Sequence, residues 1–155
     1  MTQTPEDFAE DIDPDKPPPN NRRGARQLAL QALYWNACLP GTGAEALQEL
    51  ARRFSISDEV YAFAATLVQH AQTHRTELDG LIDAAATNWS RERIARIDGL
   101  ILTLALAEML YVDDVPLRAS IDEAVELAKT FSTERSYAFI NGILDAVAQQ
   151  RGLTR

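Results

Sequence analysis

Apolar residues recur at spacings of three and four along most of this chain, and that spacing limits its possible folds more than any other feature. In an α-helix it places the apolar side chains on one face, which can be buried against neighbouring helices. The pattern predicts seven helices of ordinary length, and the segment 94–111 is the most apolar of them. No segment alternates apolar and polar residues as a half-buried strand does. We therefore predict an all-α bundle in which 94–111 is the central helix.

Local signals help to place the ends of these helices. Asn20 or Asn21 can cap a first helix that runs from about 22 to 38. Ser120 and Glu123 have the spacing of a capping box, which predicts that a helix begins near Ser120. In the third helix the apolar stripe comprises Val60, Phe63, Ala64, Leu67, Val68 and Ala71.

Gly142 lies inside the last predicted helix, where the flanking apolar residues repeat at three and four. Glycine in a helix interior costs about 1 kcal/mol relative to alanine. We therefore predict that something packs or binds closely against Gly142.

The first 21 residues differ in composition from the rest of the chain. They contain six acidic residues and one lysine, which account for −5 of the net charge of −8, and they include five prolines and no helical period. We predict a disordered acidic tail over 1–21, a helical domain over 22–150 and a short C-terminal tail over 151–155.

The chain offers little of what catalysis or metal binding requires. Cys38 is the only cysteine, so an intrachain disulfide and a cysteine-rich metal site are excluded by counting. His70 and His74 are four residues apart but lack the HExxH order and an obvious third ligand. We therefore expect no enzymatic activity, no cofactor and no metal.

No apolar run approaches the roughly 20 residues that a membrane span needs. The N-terminus also lacks the basic and then apolar order of a signal peptide. We expect a cytoplasmic protein without a membrane anchor.

Arginine supplies 13 of the 15 basic residues, and its planar guanidinium suits phosphate contacts. Arg22, Arg23 and Arg26 stand at the start of the first helix, where they can grip a nucleic-acid backbone. Solvated helix ends with incidental charge are the alternative, as they are for a second cluster formed by Arg91, Arg93 and Arg96. On the last helix, Arg135 and Phe139 flank the apolar face. A ring there can stack an unpaired base, although a core position is the alternative.

Five blocks of sequence resemble the NusB family of bacterial antitermination factors. They are RRGARQLALQALY (22–34), LDGLID (78–83), LILTLALAEMLY (100–111), VPLRASIDEAVELAKTF (115–131) and FINGILD (139–145). The resemblance implies two packed helical subbundles and no enzymatic activity. It also implies binding of the single-stranded boxA sequence in nascent ribosomal RNA leaders. The partner would be the small-subunit ribosomal protein NusE, in a complex that helps RNA polymerase to read through terminators.

Carried over position by position, the resemblance implies two sets of contact residues. The RNA-binding set that the resemblance implies is Arg22, Arg23, Arg26, Tyr34 and Phe139, and the partner-binding set is Glu108, Tyr111 and Arg118. We add Arg135 to the RNA-binding set because it lies one turn before Phe139 beside the apolar face. Four positions depart from the family pattern. Gly24 interrupts the arginine motif, and Arg135 stands where some relatives carry an acidic residue, while Thr103 and Ala107 stand where family members often carry an arginine and a tyrosine. We expect the N-terminal arginines and the ring of Phe139 to lie on one solvent-facing wall.

Two other functions remain open on sequence alone. One is an RNA methyltransferase fragment, because some ribosomal RNA methyltransferases carry a NusB-like domain. The other is a helical adaptor that homodimerises and binds no nucleic acid. A homodimer is also possible for an antitermination factor that is free of its partner.

Overall fold

A computed structural model describes residues 17–87, 94–133 and 135–153 of the chain. Within these ranges it contains seven α-helices and no strand, which confirms the all-α prediction. The helices are α1 (Arg22–Cys38), α2 (Gly43–Phe54), α3 (Asp58–Thr73), α4 (Arg75–Ala85), α5 (Arg96–Tyr111), α6 (Leu117–Phe131) and α7 (Ser136–Gln150).

The helices form two subbundles joined by the central helix. α1, α2 and α3 pack on one another, and α4, α6 and α7 surround α5 on the other side, while α5 also contacts α1 and α3. Twelve of the sixteen residues of α5 are buried, because its apolar side chains have neighbours on nearly every side. The prediction of a central helix is confirmed.

Side-chain caps fix the starts of the first three helices. Asn21 Oδ1 accepts a hydrogen bond from the amide of Gly24 at 3.0 Å, which confirms the predicted cap of α1. Thr42 and Glu45 form a full capping box on α2, and Ser57 caps α3. The start of α1 is therefore fixed at the end that carries the arginines.

The predicted capping box at Ser120 and Glu123 is wrong. α6 begins three residues earlier, at Leu117 directly after Pro116, whose missing N–H costs nothing at a helix start. Ser120 is buried within the helix, and the Glu123 carboxylate binds Arg23. Glu123 thus forms a long-range ion pair with Arg23 and not the local hydrogen bond that a capping box requires.

The last residues of the predicted tail lie across the start of α1. Asn20 Oδ1 accepts a hydrogen bond from the amide of Ser57 at 3.4 Å. A Cβ on Gly24 would stand 1.6 Å from the carbonyl oxygen of Pro19, so only glycine lets this segment pass so close to the helix. Residues 1–16 of the predicted tail lie outside the described residues.

The predicted close packing against Gly142 is also wrong, and a stability prediction follows. Apart from the backbone of its own helix, no atom of the described residues lies within 4 Å of the position that a Cβ would take. We expect Gly142→Ala to raise the free energy of unfolding by about 1 kcal/mol, because alanine loses less backbone entropy in a helix. Urea denaturation measures the change. Gly24→Ala, in which Pro19 blocks the Cβ, should change stability in the opposite direction, and a less stable Gly142→Ala protein would contradict the expectation.

Candidate nucleic-acid interface

Two exposed arginines at the start of α1 bind carboxylates from the other subbundle. Arg22 Nη2 donates to Asp114 Oδ2 at 2.7 Å. Arg23 donates from Nε and Nη2 to the two carboxylate oxygens of Glu123, at 3.1 and 3.0 Å. The hydrogen bonds that Arg23 donates to Glu123 raise the pKa of Arg23, and the hydrogen bond that Asp114 accepts from Arg22 lowers the pKa of Asp114. Both guanidiniums thus lie near the surface, each in a charge-assisted hydrogen bond with a carboxylate.

Arg26, one turn further along α1, is buried rather than exposed. Its Nε donates to Glu108 Oε1 at 2.7 Å, and the two residues are 8% and 2% exposed. The pair joins α1 to the central helix. Both side chains are buried, so the expectation that Arg26 lies on a solvent-facing wall is corrected, and the pair positions the start of α1. That Arg26 contacts RNA and that Glu108 contacts a partner stay predictions.

Phe63 on α3 completes this site, although its place in the apolar stripe had assigned it to the core. The guanidinium carbons of Arg22 and Arg26 lie 4.4 and 5.3 Å from the centroid of its ring, within cation–π range. The ring is half-buried and rests against the core. We refer to Arg22, Arg23, Arg26 and Phe63 as the arginine–aromatic cluster.

Tyr34 does not offer an exposed ring. It is 3% exposed, because it follows the buried Leu30 by one turn and lies on the same inward stripe of α1. Tyr34 therefore presents no exposed ring in this structure, and its contact with RNA stays a prediction.

The start of α7 carries the other residues of the predicted RNA-binding set. Arg135 is exposed and Phe139 is half-buried. The most exposed ring there is Tyr137, at 41%, and the Lys129 ammonium lies 5.4 Å from its centroid. Tyr137 was missed because it lies off the apolar stripe, although an aromatic residue in that position is itself a usable signal of a surface role.

Two polar contacts with α5 position the starts of α1 and α7. Glu108 binds Arg26, whereas Asp98 accepts hydrogen bonds from Ser132 at 2.6 Å and Ser136 at 2.8 Å. Asp98 and Glu108 are ten residues, or about 15 Å, apart along α5. The structure therefore holds the arginine–aromatic cluster and the start of α7 at different levels of the central helix. That one strand contacts both stays a prediction.

Tyr111, predicted to bind a partner, ends α5 in an aromatic group. Its hydroxyl donates to a Glu77 carboxylate oxygen, and this bond raises the pKa of Tyr111. Its ring stacks on those of His74 and His70, with centroids 3.8 and 5.3 Å away. The two histidines thus pack against an aromatic ring, and no group of three His, Cys, Asp or Glu residues in the described ranges is placed to hold a metal ion.

Arg118, the third predicted partner contact, lies at the start of α6. It is exposed in its side chain and bonds to Asp122 at 3.0 Å, Asn141 at 3.3 Å and Asp145 at 3.4 Å. These contacts border an open groove between α6 and α7 with apolar walls formed by Leu117, Ile121, Ala148 and Leu153. Arg118 therefore remains accessible to a partner, unlike Glu108.

The remaining sequence features fall outside the site. Arg91 and Arg93 of the second predicted cluster lie outside the described residues, and Arg96 donates to the Cys38 sulfur at 3.4 Å. Among the described residues, no helix combines the length and the apolar character needed to cross a membrane.

The Arg22–Asp114 pair gives a prediction about pH. We expect an NMR titration of the carboxyl carbon to give Asp114 a pKa below its ordinary value, and Arg22→Gln to raise it again. Because the folded carboxyl has the lower pKa, the pair favours the folded state above the ordinary pKa of aspartate. This contribution is lost as the pH falls through the lowered value. The control is Arg52→Gln on α2, which removes an arginine that pairs with Glu49 and should leave the pKa of Asp114 unchanged. An unshifted Asp114 in the unaltered protein would show that the pair does not form.

The family model described as NusB matches residues 23–149, which includes nearly all of the seven helices. The chain belongs to the NusB family. A transcription antitermination protein NusB from Myxococcus xanthus is 44% identical over 131 residues, which cover 82% of this chain and 94% of that protein. The resemblance seen in the sequence is therefore confirmed.

Solved NusB structures share the fold. The structure of NusB from T. maritima has a TM-score of 0.78 and 30% identity, covering 84% of this chain and 92% of that one. A crystal structure described as antitermination factors NusB and NusE in complex with dsRNA has a TM-score of 0.75 and 27% identity, covering 83% of this chain and 96% of that one. The two-subbundle fold of the NusB family is thus the fold of this chain.

Proposed function

We propose that this chain is a transcription antitermination factor that binds boxA-type single-stranded RNA in nascent ribosomal RNA leaders together with NusE. It is a binding protein and not an enzyme, and it acts in the cytoplasm as part of the RNA polymerase antitermination complex. The observation that carries the RNA-binding part is the pair of exposed arginines at the start of α1, whose carboxylate partners a phosphate can replace. The relatives named as antitermination proteins support the role in antitermination, and the solved complex of NusB and NusE with dsRNA supports binding of NusE and of RNA.

In this proposal Arg22 and Arg23 bind backbone phosphates, and Arg26 positions the start of α1 through its buried ion pair with Glu108. Arg–phosphate contacts are often bidentate and fix the register of a strand, while sequence is read through bases. Rings at the start of α7, Phe139 and the more exposed Tyr137, are available to stack unpaired bases, and Arg135 adds charge beside them. A single strand suits this arrangement because its bases can turn outward onto aromatic rings.

The partner surface in this proposal comprises the end of α5 and the start of α6. Tyr111 ends α5 with one side of its ring engaged by histidines, and Arg118 stands at the edge of the apolar groove between α6 and α7. Asp114, which binds Arg22, lies between these two segments, so NusE bound there would adjoin the arginine–aromatic cluster. Neither a methyltransferase fragment nor a homodimeric adaptor is favoured by a specific observation.

A direct test compares labelled RNAs by fluorescence anisotropy. The probes are a boxA-type single strand, a scrambled strand of equal composition and a duplex of the boxA-type strand, each with and without NusE. We expect the boxA-type strand to bind best, to bind more tightly with NusE and to weaken steeply as salt rises. Equal binding of the scrambled strand would contradict boxA recognition, and equal binding of the duplex would contradict the preference for a single strand. No effect of NusE would contradict joint recognition.

A further inference from the structure

We propose that Phe63 is a nucleobase-stacking site which Arg22 covers when no RNA is bound. This inference rests on the proposed function and adds to it a residue outside both predicted sets, on a different helix from the arginine motif. The ligand is an unpaired base of a single strand whose neighbouring phosphate binds Arg22.

The geometry places the base site and the phosphate site side by side. The Arg22 guanidinium makes two contacts that RNA would replace. Its carbon lies 4.4 Å from the Phe63 ring centroid, and its Nη2 donates a hydrogen bond to Asp114. In a nucleotide, the flat base can replace the guanidinium over the Phe63 ring, and the phosphate can replace the Asp114 carboxylate as the partner of Arg22. The Arg22 side chain therefore marks where a base and a phosphate can lie together.

The two arginines over the ring differ in how firmly they are held. Arg26 is buried and fixed by Glu108, whereas the Arg22–Asp114 pair has side chains that are 50% and 66% exposed. An exposed ion pair contributes little to stability, because water and salt screen it. A phosphate can therefore take Arg22 from Asp114 at low cost, which uncovers the ring while Arg26 stays in place.

The ring itself is suited to the role. Phe63 is half-buried, and its packing against the core fixes it without closing it off from solvent. A fixed ring loses little conformational freedom when a base stacks on it. Every base has a flat face, so this subsite strengthens binding to unpaired RNA and leaves sequence discrimination to other contacts.

The test measures the affinity of Phe63 variants for the labelled boxA-type strand in the presence of NusE. We expect Phe63→Leu to weaken binding about tenfold and Phe63→Trp to bind at least as well as the unaltered protein. Tyr61→Leu is the matched control, because it removes a ring from the opposite side of the same helix, and it should leave affinity unchanged. Thermal melting shows whether each variant is folded, and Phe63→Trp keeps the test valid if Phe63→Leu is unstable.

A second arm identifies the contacting base. Strands with one abasic site at each position in turn should include one on which Phe63→Leu and the unaltered protein bind equally. Asp114→Asn, which releases Arg22, should strengthen binding about threefold, whereas Glu49→Gln, which removes the same charge from an ion pair on α2, should not.

Three results would overturn the inference. One is a folded Phe63→Leu protein that binds as tightly as the unaltered protein, and another is a loss of affinity that persists on every abasic strand. In either case the unaltered protein still binds the boxA-type strand, so only this inference fails. If the unaltered protein binds no RNA, the inference and the proposed function fail together.

Discussion

Glu108→Ala is expected to lower the free energy of unfolding by about 3–5 kcal/mol, the largest effect of any single change considered for this protein. Glu108 is 2% exposed, and its carboxylate accepts from the Nε of Arg26, which is itself buried. Removing the carboxylate leaves a guanidinium charge in the interior with only a more distant carboxylate, Glu123 at 3.9 Å, to offset it. Urea denaturation followed by circular dichroism measures the loss.

Two controls separate the effect of the buried charge from that of a smaller side chain. In the double variant Arg26→Met, Glu108→Leu both charges are replaced by apolar groups of similar size, and most of the stability should return. Glu49→Ala breaks a surface pair with Arg52 and should have little effect. If Glu108→Ala costs less than about 1 kcal/mol, the start of α1 is not anchored through this pair.

Asp98→Ala is expected to cost about 2–4 kcal/mol, the second-largest effect. Both carboxylate oxygens accept short hydrogen bonds, one from the hydroxyl of Ser132 at the end of α6 and one from the hydroxyl of Ser136, the first residue of α7. α7 has no side-chain cap of its own, so these bonds are the polar contacts that hold its first turn against α5. We expect amide hydrogen exchange in the first turn of α7 to speed up together with the global loss of stability.

The matched control for Asp98 is Asp98→Asn, which keeps one carbonyl oxygen as an acceptor and should lose less stability than Asp98→Ala. Ser132→Ala removes a single bond and should cost about 1 kcal/mol. An Asp98→Ala protein that keeps the slow exchange of the first turn of α7 would show that packing alone positions this helix.

Periodicity was sufficient to predict the helices and the all-α class, because burial of one helix face is a local property of the sequence. The apolar spacing located all seven helices, and Asn21 and the prolines and glycines between segments located most ends to within a few residues. The two-subbundle arrangement came only from the resemblance to the NusB family, since spacing alone does not say which helices are neighbours.

The site was less predictable because its contacts join residues far apart in the chain. Arg23 and Glu123 are 100 residues apart, and Arg26 and Glu108 are 82 apart, so no local pattern indicates either pair. Glu123 binds Arg23 and is not part of the expected capping box. Periodicity assigned Phe63 to the core, because it does not show that the guanidinium groups of another helix pack over the ring. Tyr34 does not present a surface ring, because the apolar stripe of α1 to which it belongs is buried.

The claim that the start of α1 binds RNA phosphates is tested most directly by the salt dependence of affinity for the boxA-type strand. The test compares the unaltered protein with the double variant Arg22→Gln, Arg23→Gln. The matched control is the double variant Arg52→Gln, Arg53→Gln, which removes the same charge from α2. Each phosphate contact contributes about 0.7 to the slope of log affinity against log salt on a single strand, so the first variant should lower the slope by about 1.4. The control should keep the full slope. Equal slopes in the unaltered protein and the Arg22→Gln, Arg23→Gln variant would contradict phosphate binding at this site.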